Sequence, residues 1–191
     1  MRLILASRSP QRRAILEQLG IAFEVVVPDL DELTDGPPHE LVAENAYRKA
    51  AAVAAGKSGA SALVLGVDTI VALGSRVYGK PADVSSARDT LTSLAGRRHT
   101  VLSGVCLIDG DRVRTTVAST GVQFRALDAA LIDWYVETDE WRERAGGYAI
   151  QGRGAALVQS IDGDYLNIVG LPVATLLELA PELLVQSVRG S

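Results

Sequence analysis

Two periods alternate along this chain: short unbroken apolar runs of the kind buried strands make, and stretches where apolar residues recur at helical spacing. RLILAS (2–7) is the first apolar run. Ser9 then offers an N-cap hydroxyl, Pro10 suits the first helical position, Ala14, Ile15, Leu16 and Leu19 form an apolar face, and Gly20 stops the helix. FEVVV (23–27) predicts a second strand, and PDLDELTDGPP (28–38) is too acidic and too rich in proline to be core. HELVAENAYRKAAAVAAG (39–56) returns to helical spacing, with Val42, Ala46, Ala50 and Val53 as its buried stripe and Gly56 as its stop.

ALVLGVDTIVAL (62–73) is the most apolar strand region, with RVYGKPAD (76–83) as its hairpin return. SSARDTLTSLAG (85–96) predicts a helix, 99–124 two strands joined by a DGD turn, and DAALIDWYVET (128–138) another helix. ALVQSIDGDYLNIVG (156–170) reads as two further β-runs around an Asp-Gly turn, Pro172 opens a last helix, and SVRGS (187–191) is expected to fray. Crossovers early and hairpins in the middle predict an α/β protein with a mixed, partly antiparallel sheet flanked by helices.

Composition narrows the partners. The 191 residues suit one domain, 48% of them are hydrophobic, and 22% are charged. A net charge of −4 gives no basic field for polymeric nucleic acid, so any anion must be held locally. The one cysteine, Cys106, lies in the apolar run VLSGVCLI and reads as a small buried hydrophobe, which suits a reducing, cytoplasmic setting. No stretch reaches the length of a membrane span.

Three places break the apolar pattern. Arg8, Arg12 and Arg13 surround the start of the first helix, where the dipole disfavours cations; with Ser9 they read as an anion cradle or as solvated surface charges. Lys49 projects about 40° from the centre of its helix's buried stripe, so it either snorkels to solvent or points inward at an anion. Asp68 interrupts the most apolar strand, a position that requires a cleft, a cation or a metal.

Glu32, with Asp29, Asp31 and Asp35, offers oxygen ligands of the type Mg²⁺ or Mn²⁺ takes, although acidic loops are commonly just solvated. Lys80 by itself reads as an exposed turn lysine. No P-loop is present, GRG is a lone GxG, and two histidines with one cysteine cannot build a zinc cluster.

LASRSPQRRAIL, LDE (30–32), ENAYRKA (44–50), GVDTIVAL, GKPAD, AGGYAIQGRGA and IDGDYLNIVGLPV occur in this order over nearly the whole chain. In number, order and spacing these blocks resemble the Maf family of nucleoside triphosphate pyrophosphatases, which is associated with septum formation. The resemblance implies a single Maf-like domain over 1–191, with two lobes around a central nucleotide-binding cleft as one arrangement, and a fold similar to inosine triphosphate pyrophosphatases. It implies hydrolysis of a nucleoside triphosphate to the monophosphate and pyrophosphate with a divalent metal, Mg²⁺ or Mn²⁺, in a cytoplasmic homodimer.

By the same resemblance Ser9 and Arg12 fall on the phosphate-contacting loop, Lys49 and Lys80 on the two substrate-binding lysines, and Glu32 on the metal-associated position. Asp68 falls on the proton acceptor and is also a candidate metal ligand. Thr69 and Gln151 match the branch acting on dTTP and UTP. Gln11 replaces that branch's arginine, and Arg144 and Ala149 stand where lysine and glycine are common. The 7-methyl-GTP branch carries a glutamine after the aspartate and a glutamate in the later block, and neither is present. A non-catalytic nucleotide-binding regulator of septum formation is the alternative from another class; it would need the cations but not Asp68.

Overall fold

The computed structural model describes residues 2–56 and 62–184. Its elements are strands β1 (Arg2–Ala6), β2 (Phe23–Val25), β3 (Ala62–Leu73), β4 (Arg76–Tyr78), β5 (Arg98–Asp109), β6 (Arg112–Phe124) and β7 (Val158–Asp162). Its α-helices are α1 (Pro10–Gln18), α2 (Pro38–Ala55), α3 (Val84–Leu94), α4 (Ala129–Val136), α5 (Tyr165–Val169) and α6 (Val173–Leu179). Two short 3₁₀ turns lie at Ala145–Gly147 and Arg153–Leu157. The strands form a seven-stranded mixed sheet in the order β2-β1-β3-β5-β6-β7, with β4 pairing to β3 off this path. The predicted class holds.

The chain divides into two compact units. The first comprises Met1–Asp68, Ser103–Ala118 and Gly170–Ser191. There β1 runs parallel to both β2 and β3, pairing Leu3 with Phe23 and with Leu63. Its core holds Ile4, Ala6, Val64, Cys106 and Ile108 against Ala46, Ala50 and Val53 of α2. Small residues let this helix lie close to the strands: a Cβ on Gly66 would run into the Ala46 carbonyl oxygen, and one on Gly104 into that of Val42.

The second unit comprises Thr69–Leu102 and Ser119–Val169. Here β4 returns antiparallel on β3 (Val71 opposite Tyr78), and β7 pairs antiparallel with β6. Leu91, Leu94, Phe124, Tyr135, Trp141 and Tyr148 dominate its core. An Asp83–Ser86 capping box starts α3 and Asp128 caps α4.

Three expectations need correction. β2 stops at Val25 rather than 27. Ala14 is exposed, so α1 buries Ile15 and Leu16 together with Arg12. The second β-run proposed within 156–170 is α5, a helix that starts where Asp164 accepts a hydrogen bond from the Leu166 amide. Short apolar stretches such as YLNIV do not distinguish strand from helix by periodicity, and the aspartate turned this one. The expected frayed tail at 187–191 lies outside the described residues.

Candidate active site

The start of α1 places the first group. Ser9 takes an extended backbone (φ −65°, ψ 119°), and its Oγ accepts from the Arg12 amide at 3.5 Å while donating to Gln11 Oε1 at 3.0 Å. Arg12 is buried, 8% exposed, with Nε donating to the Gly170 carbonyl at 2.9 Å and Nη1 to Ser7 Oγ at 3.1 Å. Burial pulls its guanidinium below the ordinary arginine range, and the negative charges of Asp68 and Glu32 pull it back up. Arg13 instead folds back to donate to the Arg8 carbonyl, and Arg8 is exposed. Of the three arginines only Arg12 joins the buried group. A helix start with no acidic residue in its first turn thus buries one cation, held by the Gly170 carbonyl and Ser7 Oγ and favoured by the charges of Asp68 and Glu32.

The second group comes from α2. Asn45, Ala46, Lys49 and Ala50 are all buried, and the spacing of four puts Asn45 and Lys49 on one row beside the alanine row that touches the strands. Lys49 does not snorkel. Its Nζ lies 2.6 Å from Asp68 Oδ1 and 2.7 Å from Glu32 Oε1, with the Lys49 and Asp68 side chains 8% and 6% exposed and Glu32 half exposed. Asp68 thus meets the requirement that its place in an apolar strand imposed, through a buried cation. One ammonium within 3 Å of two carboxylates brings Glu32 and Asp68 together.

Asn45 and Ser7 are the residues that sequence reasoning passed over. Asn45 Oδ1 accepts from the Leu33 amide (2.8 Å), and its Nδ2 donates to the Leu33 carbonyl (2.9 Å) and to Asp68 Oδ2 (3.2 Å). Ser7 Oγ accepts from both Arg12 and the Ser9 amide. Asn45 sits four residues before Lys49 on the same face, a signal that was available once Lys49 was placed inward.

Lys80, Thr69 and Gln151 belong to the second unit. Lys80 pairs with Glu143 at 3.0 Å, both side chains being well exposed, a contact of small energy. Thr69 is half-buried and Gln151 exposed. The Gly146 amide donates to the Gly79 carbonyl, joining the segments before Lys80 and before Gln151. Gly146 has φ 68°, and a Cβ there would meet the Val71 side chain. The Tyr135 hydroxyl accepts from the amide of Ala149, and the Tyr148 hydroxyl lies 3.0 Å from His99 Nε2. Burial raises Tyr135 to about 12, raises Tyr148, and lowers His99 to about 4, so all three are neutral near pH 7. Arg144 is half-buried and lowered chiefly by burial.

The family profile described as "Maf-like protein" matches residues 2–183. A protein of Symbiobacterium thermophilum named "dTTP/UTP pyrophosphatase" is 50% identical over 173 residues, covering 90% of this chain and 88% of the relative. One of Gloeobacter violaceus with the same name is 45% identical, covering 95% and 96%. Among solved structures, a HAM1 protein from Coxiella burnetii shares the fold, with a TM-score of 0.55 at 17% identity over 95% of this chain and 99% of that one. No described helix is long and apolar enough to cross a membrane. With a profile matched across almost its full length and relatives at this identity, the chain belongs to the Maf family.

Proposed function

We propose that this protein hydrolyses dTTP and UTP between the α- and β-phosphates, releasing the nucleoside monophosphate and pyrophosphate. The observation that carries this reading is the buried Asp68–Lys49 pair, whose ammonium also holds the half-exposed Glu32 and on which the charge of Arg12 acts. Relatives named dTTP/UTP pyrophosphatase at 41–50% identity support the substrate class.

In this mechanism a water oxygen bonds to the α-phosphorus, the bond from that phosphorus to the bridging oxygen breaks, and pyrophosphate leaves with the bridge. Asp68 accepts the proton from water. Arg12 and Lys49 offset the charge that builds on phosphate oxygens, from positions already fixed by Gly170, Ser7 and α2. Ser9 offers a hydroxyl at the helix start, and the exposed Lys80 is a second lysine for the polyphosphate. Thr69 and Gln151, with Gln11 replacing an arginine, are the residues we assign to base selection.

The donor set fits a hard divalent cation, Mg²⁺ or Mn²⁺. Glu32 and Asp68 are two hard oxygen donors drawn together by one ammonium. A sparse site of that kind suits an ion that takes one or two carboxylates and completes its shell with water and phosphate oxygens. When bound, such an ion would neutralise phosphate charge and polarise the phosphorus. We carry a homodimer into the same proposal, for light scattering to test.

The test is pyrophosphate release from dTTP, UTP and 7-methyl-GTP with Mg²⁺ or Mn²⁺, before and after Asp68→Asn. Turnover of the two pyrimidine nucleotides should fall about 10²- to 10⁴-fold in the variant. Unchanged turnover would overturn Asp68 as base, and preference for 7-methyl-GTP would overturn the substrate assignment.

A further inference from the structure

Asn45 has no role in the chemistry above, yet it is 1% exposed, and both of its N–H donors and its carbonyl oxygen are committed. The three partners allow one orientation of the amide. Reversed, the carbonyl would face the Leu33 carbonyl and the Asp68 carboxylate, three acceptors with no proton between them. Two bonds go to the N–H and C=O of Leu33, the residue next to Glu32, and so hold that acidic stretch the way a paired strand would. The third goes to Asp68 Oδ2, while Lys49 from the next turn of α2 takes Oδ1. Both carboxylate oxygens of Asp68 are therefore oriented from one helix, and the same helix fixes the backbone that carries Glu32.

We propose that Asn45 is a positioning residue, which locks the Glu32-bearing segment to Asp68 and sets the plane of the Asp68 carboxylate. Its catalytic part rests on the proposed function; its structural part does not. A buried asparagine that only docked a loop would use the two Leu33 bonds. The bond to Asp68 is the one that reaches a reacting group, and substitution can separate the two.

The experiment compares Asn45→Leu, which keeps size and removes all three bonds, with Asn45→Asp, which keeps the acceptor for the Leu33 amide and loses the donors. Asn167→Leu is the control. Asn167 is equally buried in the second unit and donates to the Val101 carbonyl and Thr120 Oγ1. Steady-state kinetics on dTTP and native-state amide exchange at Leu33 are read together.

Asn45→Leu should lower kcat about 10- to 100-fold with KM within about threefold, and speed Leu33 exchange at least about tenfold while Leu65 stays protected. Asn45→Asp should lose kcat similarly but keep Leu33 protected. Asn167→Leu, melting at a comparably lowered temperature, should keep kcat within about threefold. The proposal is overturned if Asn45→Leu retains kcat, if Asn167→Leu loses as much, or if Leu33 protection survives in Asn45→Leu. Should wild-type protein release no pyrophosphate from dTTP or UTP, the proposed function fails, and Leu33 exchange alone then decides whether Asn45 locks the segment.

Discussion

Lys49→Met removes one charge from a place that holds it between two others, and its cost follows from the burial of each partner. Methionine keeps most of the side-chain volume and the packing on α2, so the loss is electrostatic. Breaking a fully buried ion pair from one side costs about 3–5 kcal/mol, because the remaining charge is stranded. Asp68, with its side chain 6% exposed, meets that condition; Glu32, at 49%, does not and adds little. Asn45 still donates to Asp68 Oδ2, and the charge of Arg12 still acts on it, which returns part of the loss. The expected destabilisation is about 3 kcal/mol, or roughly 6–12 °C in Tm for a chain of this length. Asp68→Asn strands Lys49 less, since Glu32 remains 2.7 Å away, and should cost about 1–2 kcal/mol. The double variant should cost little more than Asp68→Asn alone, so a double-mutant cycle by urea denaturation at pH 7 should give a coupling of about 2–3 kcal/mol. Additive costs, or a loss below about 1 kcal/mol for Lys49→Met, would refute the claim that this pair is buried and mutually dependent.

Two further outcomes follow from other parts of the fold. His99 is buried against Phe124 and Tyr148, and burial lowers it from 6.5 to about 4. Its neutral form is the folded one, so its contribution is full above pH 6.5 and is lost as pH falls toward 4. At about 1.4 kcal/mol per pH unit that gap amounts to about 3 kcal/mol, and His99→Phe should abolish this part of the slope in denaturation curves taken across that range. Gly66→Ala and Gly104→Ala each force a methyl into a carbonyl of α2 and should cost about 3 kcal/mol by calorimetry; a loss under about 1 would mean the helix shifts freely.

The elements were legible where the pattern was long. β3 spans the residues its apolar run marked, and α2 starts one residue earlier and ends at its glycine stop, because twelve or eighteen positions fix a period. The five residues of α5 did not, since a single turn has no period to read. Within the candidate site, Lys49 and Asp68 stood out because each violates the hydrophobic pattern around it, and the structure resolves both violations into one contact. Asn45 violated nothing. An amide on a helix face is ordinary in sequence, and its importance lies in partners 12 and 23 residues away. Arg12 differed from Arg8 and Arg13 only in facing Ser7 and Gly170, the second of which lies 158 positions along the chain.

α2 carries its contact row of alanines and its polar row of Asn45 and Lys49 on one continuous helix. For the diversification of such a chain, this makes substitutions and deletions unequal events. A substitution in α2 alters the contacts of one side chain, whereas loss of a single residue between Ala43 and Ala50 rotates everything beyond it by about 100°. That would carry Lys49 off Asp68 and leave Ala50 in its place, so the buried carboxylate would lose its ammonium in a single step. Length changes should therefore accumulate between Leu33 and the start of α2, beyond the residues that Asn45 and Lys49 hold, and lineages should keep the residue count of this helix even where they have exchanged its letters.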